Sequence, residues 1–193
     1  MGSLLVDNVS IDTVYELVYS DKPFKFKGKE ECCFMSHVLK KNGGSQYVTT
    51  PYTPPGPKFY TMEEDRTFEN TPLFSERTNT YEVPLPPIPF MPKVAQNTEQ
   101  VKIYWLSNTE LDYVFRCDSK APMGDCFYLT FVHRIVQKGS AVEIKVYFNY
   151  FFVKDTSMKG MITSKSDEES AKNINSFLAE VKKVLKSGRG SGG

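Results

Sequence analysis

Alternating apolar and polar positions dominate the second half of this chain. Within residues 141–154, one alternate set of side chains is apolar from Val142 to Phe152, whereas the other opens with Glu143 and Lys145 and then turns aromatic. A strand with this pattern buries one face and has its other face partly covered. Stretches rich in Val, Ile, Thr, Tyr and Phe predict an antiparallel series of strands at residues 78–83, 94–106, 109–117, 126–137 and 141–154.

A period of three and four residues predicts a long helix at the end of the chain. Ser166 and Glu169 have the spacing of a capping box, and apolar residues continue back to Met158. A helix over 158–186 would be about 43 Å long, enough to cross the sheet diagonally. Its apolar stripe consists of Ala171, Ile174, Phe177, Leu178, Val181, Val184 and Leu185.

The first half of the chain contains shorter predicted elements. Residues 4–9 have the pattern of a strand, and Ser10 is placed to cap a helix that begins at Ile11. Two more strands are predicted at 34–39 and 46–50, separated by an Asn-Gly-Gly turn signal.

Residues 51–74 have the composition of a loop. They contain Pro54-Pro55-Gly56-Pro57 and the acidic run Glu63-Glu64-Asp65. Such a segment has little to bury, so we predict an irregular, partly disordered insertion that contributes little to the core.

Together these elements predict one α+β domain over residues 4–186. A curved antiparallel sheet wrapped around one long C-terminal helix is the helix-grip layout. The space between sheet and helix is either a packed core or an apolar cavity, and the periodicity of the sequence fits both.

A loop that is both proline-rich and apolar follows the first strand of the predicted series. In this proline-rich loop (residues 84–93), five prolines remove backbone donors and fix φ, which prevents a central strand. The same loop carries Leu85, Ile88, Phe90 and Met91. An exposed apolar loop has to pack under something, meet a membrane or cover a ligand, so the pattern favours binding over catalysis.

Composition and charge exclude several classes of protein. The 193 residues contain 24 Lys and Arg against 23 Asp and Glu, so no global field favours nucleic acid. Lysine-rich patches at 22–29 and 182–186 could meet anionic lipid locally, although such patches are most often solvated. The longest apolar run, 146–153, is far shorter than the roughly 20 residues of a membrane-spanning helix.

The two ends of the chain have the composition of linkers. Residues 1–3 and 187–193 are rich in Gly and Ser, and Val6 stands where a myristoylation signal has Ser or Thr. We expect neither end to take part in the fold.

The four cysteines point to a reducing, cytosol-facing environment. They show no CxxC spacing, so zinc is not expected, and buried free thiols are the simplest interpretation. Cys117 and Cys126 could alternatively face each other across a hairpin.

Nothing in the sequence forms a recognisable catalytic arrangement. Neither His37 nor His133 stands in a motif with a nucleophile. The acids that could act in catalysis have positions typical of exposed strand or turn charges: Glu99, Glu110, Asp112, Glu143 and Asp155. We therefore expect no enzymatic activity, no cofactor and no metal.

Two motifs in the chain resemble those of a known family. Residues 81–93, Tyr-Glu-Val-Pro-Leu-Pro-Pro-Ile-Pro-Phe-Met-Pro-Lys, and the later stretch 111–128 resemble the VASt (StART-like) domain of the Lam/Aster, GRAM-domain-containing sterol transfer proteins. The turn at 120–127 keeps Gly124 and Phe127 of the family pattern but has Lys120 and Met123 in place of Asp and an aromatic.

The resemblance implies a START-like (Bet v 1-like) helix-grip domain that binds a sterol or similar lipid in an internal apolar cavity. It implies transfer of this lipid between membranes at contact sites, with the proline-rich loop as a lid. It also implies transient contact with anionic membranes, a monomeric state and no binding of nucleic acid. Full-length relatives would be anchored in the endoplasmic reticulum membrane. The alternative is a non-catalytic docking module with a filled pocket that binds a protein or membrane surface. The ligand-binding residues implied are Leu85, Ile88, Phe90, Met91, Lys93, Tyr113, Phe115, Tyr128, Phe148, Ile174, Phe177, Leu178 and Val181.

Overall fold

Seven strands of the chain pair into one antiparallel sheet. The structure, a computed structural model, describes residues 1–56, 58, 71–85, 87, 89–90 and 92–187. The strands of this sheet, β1 and β4 to β9 in our numbering, are Gly2–Val6, Ser45–Thr49, Ser75–Pro84, Val94–Ser107, Glu110–Ser119, Phe127–Lys138 and Ala141–Phe152. They lie in the order β1-β9-β8-β7-β6-β5-β4.

Helices and a small hairpin complete the domain. A short helix, α1 (Ile11–Val14), continues as a π-helical turn at Tyr15–Tyr19. Strands β2 (Phe24–Phe26) and β3 (Lys29–Glu31) form a separate hairpin, which leads to helix α2 (Phe34–Lys41). The long C-terminal helix α3 (Lys159–Ser187) packs against β1, β9 and α2. The predicted helix-grip α+β fold is confirmed, because a curved antiparallel sheet holds one long helix.

The strand predicted at 34–39 is wrong, because these residues form helix α2. Phe34, Ser36 and Val38 are all buried, and this alternation gave the segment the pattern of a strand. In a helix, Phe34 and Val38 also lie one turn apart on the same face, so the two periods agree over so short a stretch. Tertiary contacts favour the helix, since the Phe34 ring contacts Phe177 of α3 at 6.1 Å and His37 Nε2 lies 3.1 Å from Glu180 Oε2.

The N-terminal residues take part in the sheet. Gly2 pairs with Val146 and Ser3 with Lys145, so the expectation that residues 1–3 lie outside the fold is wrong for these two. A Cβ on Gly2 would lie 2.5 Å from Ile174 Cγ2, which shows how closely α3 approaches β1. The predicted cap is confirmed: Ser10 Oγ accepts a hydrogen bond from the Thr13 amide at 3.1 Å.

Both ends of the predicted insertion belong to the core, contrary to expectation. The Tyr52 hydroxyl donates a hydrogen bond to the Tyr19 carbonyl at 2.8 Å. The ring of Phe74 makes edge contacts with Tyr15 and Trp105. The two ends of segment 51–74 thus cover one side of the core. Residues 57 and 59–70 lie outside the described part of the chain.

Candidate functional site

The face of the sheet that meets α3, which we call the inner face, carries a ladder of three aromatic rings. Phe115, Phe131 and Phe148 are cross-strand partners on β7, β8 and β9. The first two rings stack with centroids 4.8 Å apart and planes 10° apart, and the second pair is 5.9 Å and 29° apart. We call these residues the aromatic ladder. They lie on the inner face because His133, two residues after Phe131, contacts Phe177 of α3 at 4.7 Å.

Burial changes along the inner face at this ladder. On one side, Tyr113 and His133 are almost completely buried, and the core beyond them is filled. At the ladder, Phe115 and Phe148 keep partial contact with solvent, and so does Leu129 in the following row. In a filled core these inward-pointing side chains would be fully buried, as close packing leaves few voids. Solvent-accessible space therefore borders the inner face from the ladder onward.

The predicted site residues on α3 belong to the filled part of the inner face. Ile174, Phe177, Leu178 and Val181 are all buried. The ring of Phe177 contacts Tyr19, Phe34 and His133, and Gly2 lies against Ile174 and Leu178. Tyr113 packs on Tyr19 and reaches the ladder through an edge contact with Phe115 at 5.9 Å. Of these residues, only Tyr113 touches the ladder in a ring contact.

The prediction for Tyr128 is wrong. Its ring lies on the outer face, stacked on Phe151 at 5.2 Å, with the Arg116 guanidinium carbon 3.9 Å from the ring centroid. Side chains alternate along a strand, so Tyr128 and Phe131, three residues apart on β8, point to opposite faces. Leu129 takes the inner-face position instead.

The proline-rich loop is closed at its base by one backbone hydrogen bond. The Leu85 amide donates to the Lys93 carbonyl at 2.8 Å. Leu85 is half-buried, whereas Phe90 and Lys93 are exposed. Phe90 has φ of 64°, a left-handed conformation in which Phe is uncommon. Two further predicted residues, Ile88 and Met91, lie outside the described residues.

A set of polar side chains on β5 and β6 borders the ladder. Glu99 accepts hydrogen bonds from Asn79 Nδ2 at 3.1 Å and from the Tyr81 hydroxyl at 2.7 Å. Desolvation raises the pKa of this carboxyl, against the opposing effects of those two donors and of the nearby Arg77 charge. The expectation that Glu99 is a solvent-exposed strand charge is wrong. We call Arg77, Asn79, Tyr81, Asn97 and Glu99 the polar wall.

Arg77 is the most unusual member of the polar wall. Its side chain is 4% exposed, and its guanidinium carbon lies 4.3 Å from the centroid of the Tyr52 ring. Nη2 is 4.0 Å from Cys33 Sγ, while Nε and Nη1 have no hydrogen-bond partner among the described residues. The buried Oδ1 of Asn97 likewise has none there. The signal in the sequence was the alternation of Arg77, Asn79 and Tyr81 on one face of β5.

A separate open cleft of about 660 Å³ lies between the π-helical turn, the β2–β3 hairpin and the end of α3. Leu17, Phe24, Phe26 and Val184 supply apolar lining, and the predicted lysine-rich patch borders it through Lys22, Lys25 and Lys27. Unlike the ladder, this cleft contains none of the predicted ligand-binding residues.

The described ranges contain no group of three or more His, Cys, Asp or Glu side chains arranged to hold a metal ion. No helix in that part of the chain is long and apolar enough to cross a membrane. The four cysteines are free thiols, and Cys117 lies opposite Leu129 rather than Cys126.

Comparison with known protein families identifies the family to which this domain belongs. Residues 6–169, well over half of the chain, match the VASt family, the VAD1 Analog of StAR-related lipid transfer domain. The chain belongs to the VASt family. No curated protein shows a significant match to it. The matched region of this VASt domain contains the aromatic ladder, the polar wall and the proline-rich loop, and it ends in α3 before Ile174. A StAR-related lipid-transfer-like domain implies a lipid ligand.

Proposed function

We propose that this VASt domain binds a sterol or similar lipid on the aromatic ladder, beneath α3, and transfers it between membranes at contact sites. The observation that carries the proposal is the partial exposure of inward-pointing Phe115 and Phe148, next to a filled core on the side of Tyr113 and His133. The family supports it independently, because VASt is a lipid-transfer-like domain.

The physical basis of binding is the removal of apolar surface from water. A flat, rigid lipid placed on the ladder covers the partly exposed rings of Phe115 and Phe148, at about 25 cal/mol per Å² of apolar area buried. No covalent step is required. VASt domains are generally non-catalytic, and the proposed function is non-catalytic too.

Transfer also requires contact with a membrane, and two surface features support it. Phe90 projects from the proline-rich loop into solvent, where it can enter the headgroup region. Lys22, Lys25 and Lys27 border the open cleft near the end of α3, where Lys22 and Lys25 pair with Glu16 and Glu30 and Lys27 adds positive charge. By analogy with the Lam/Aster proteins, the intact protein would be anchored in the endoplasmic reticulum membrane.

The first test measures binding and transfer of a fluorescent sterol. We predict stoichiometric binding and transfer between liposomes above the rate in buffer alone. Phe148→Ala should weaken binding roughly tenfold, because ring removal takes away apolar contact area. Phe151→Ala is the matched control, since Phe151 is an aromatic residue of the same strand on the outer face.

Equal loss of binding in both variants would contradict the assignment of the ladder as the site. Absence of binding by the wild-type protein to sterols and to other lipids would leave the docking module as the better interpretation. Native mass spectrometry of protein purified from cells supplies an independent check through the mass of any bound lipid.

A further inference from the structure

Arg77 is a buried charged residue that does not use all of its hydrogen-bond donors. Its side chain is almost entirely removed from solvent, and two of its three nitrogens, Nε and Nη1, have no hydrogen-bond partner among the described residues. The third, Nη2, approaches the Cys33 thiol, and the guanidinium also interacts with the Tyr113 hydroxyl. Arginine keeps its charge in proteins, so burial does not neutralise it. A buried guanidinium without a carboxylate partner is strongly unfavourable in a structure that serves stability alone.

The neighbouring carboxylate, Glu99, interacts electrostatically with Arg77 but accepts no hydrogen bond from it among the described residues. Both oxygens of Glu99 are occupied by Asn79 and Tyr81, and no ion pair joins Glu99 to Arg77 in the described part of the chain. The Tyr52 ring stacks on the guanidinium and stabilises its charge without using its N–H groups. Nε and Nη1 are thus held in place without a hydrogen-bond partner among the described residues.

Arg77 is also aligned with the aromatic ladder. It is the cross-strand partner of Val101, and Val101 is the partner of Phe115. Arg77, Val101 and the three ladder residues therefore form one row across five strands of the inner face. Val101 is buried, so a lipid on the partly exposed ladder rings would direct its polar end toward the guanidinium across the Val101 side chain.

We propose that Arg77 anchors an anionic oxygen group on the lipid ligand, such as a carboxylate, sulfate or phosphate, while the apolar part of the ligand covers the aromatic ladder. The inference rests on the proposed function, because it assumes a lipid at this site. It adds that the domain prefers a lipid with a negatively charged end over the same lipid with a neutral hydroxyl. A charge-assisted hydrogen bond in a buried site supplies that preference.

A matched ligand pair tests the preference. Cholesterol and cholesterol sulfate share the ring system and differ at the polar end, and competition with a fluorescent sterol gives the affinity of each. We expect cholesterol sulfate to bind at least about tenfold more tightly than cholesterol. Oleate and lysophosphatidate form two further arms, which distinguish a carboxylate from a phosphate as the preferred group.

Substitution of Arg77 tests whether this residue causes the preference for a negatively charged lipid. Arg77→Met keeps the length and volume of the side chain and removes its donors and charge, so cholesterol sulfate should lose its advantage while cholesterol binding changes less than about threefold. Arg116→Met is the matched control, because Arg116 also stacks on a tyrosine but lies on the outer face beside Asp118. This control should retain the wild-type preference.

The outcomes separate the two proposals. Equal affinity of the wild-type protein for cholesterol and cholesterol sulfate would overturn the role of Arg77 and leave lipid binding intact. A preference that persists in Arg77→Met would also overturn it. If no lipid binds, the proposed function itself fails. Should Arg77→Met not fold, Arg77→Lys serves instead, since it keeps the charge but loses Nε and the planar donor set, and the preference should decrease.

Discussion

At the scale of single residues, His133 shows how strongly burial alone controls ionisation. The ring is enclosed by Tyr19, Tyr113, Phe115 and Phe177, and its Nδ1 lies 3.2 Å from the Tyr19 hydroxyl. Desolvation lowers the pKa of His133 to about 3, so the folded protein holds a neutral imidazole. The unfolded chain takes up a proton near pH 6.5. Protonation therefore favours unfolding between these two values.

We predict that the double variant Tyr19→Phe/His133→Phe has a flatter dependence of stability on pH than the wild-type protein. As pH falls from 7 to 4, His133 binds a proton only in the unfolded chain, which costs the wild type on the order of a few kcal/mol. Thermal unfolding at both pH values measures the difference. Parallel curves for the two proteins would show that His133 does not contribute. Changing Tyr19 as well prevents an unpaired buried hydroxyl from confusing the comparison.

At the scale of elements, the tip of the proline-rich loop is suited to membrane contact and contributes little to folding. Its base is fixed by the Leu85 to Lys93 hydrogen bond, and its prolines limit the entropy lost when it closes. Phe90 is exposed and has a positive φ, so it contributes little to the core and adopts a conformation that suits other residues better. A large apolar side chain at this exposed position is suited to membrane contact rather than to packing in the core.

We predict that Phe90→Asp leaves the melting temperature unchanged or slightly raised and slows lipid transfer. Asp tolerates a left-handed conformation better than Phe, and a charge opposes entry into the headgroup region. Circular dichroism during heating measures stability, and transfer between liposomes measures function. Phe90→Asn is the matched control for charge. Unfolding of the Asp variant would mean that the side chain belongs to the core, contrary to its exposure.

At the scale of the whole molecule, the domain has a filled part and an open part. The filled part joins α1, α2 and α3 to the sheet around Trp105, Tyr113 and Phe177. The ends of segment 51–74 belong to this part through Tyr52 and Phe74. The open part borders Phe115, Phe148 and Leu129, and most of the polar wall lies buried beside it. Stability and ligand binding therefore depend on different residues of the same sheet.

We predict that deletion of residues 51–74 destabilises the domain, contrary to what the composition of the segment suggests. The deletion removes the Tyr52 hydrogen bond and the Phe74 contacts with Trp105, and loss of each of these half-buried rings should cost about 1 to 3 kcal/mol. Chemical denaturation measures the change. The single variant Phe74→Ala should reproduce part of it. A deletion protein as stable as the wild type would show that these contacts are dispensable.

The sequence by itself determined the class of fold, because local periodicity reflects how strands and helices expose their side chains. The period of two in β9 and the stripe of α3 each repeat over enough residues to be unambiguous. The same rule applied to β8 would have separated Tyr128 from Phe131. Over the eight residues of α2, by contrast, the two periods agree, and contacts with Phe177 and Glu180 of α3 favour the helix.

Only the tertiary structure decided which inner-face positions are filled and which are open. Phe115 and Tyr113 have the same periodicity on β7, yet one remains partly exposed and the other is buried, because different elements cover them. The burial of Arg77 against Tyr52 likewise joins residues that are distant in the chain. A local pattern fixes the face to which a side chain points, whereas packing density and hydrogen-bond partners depend on what lies opposite that face.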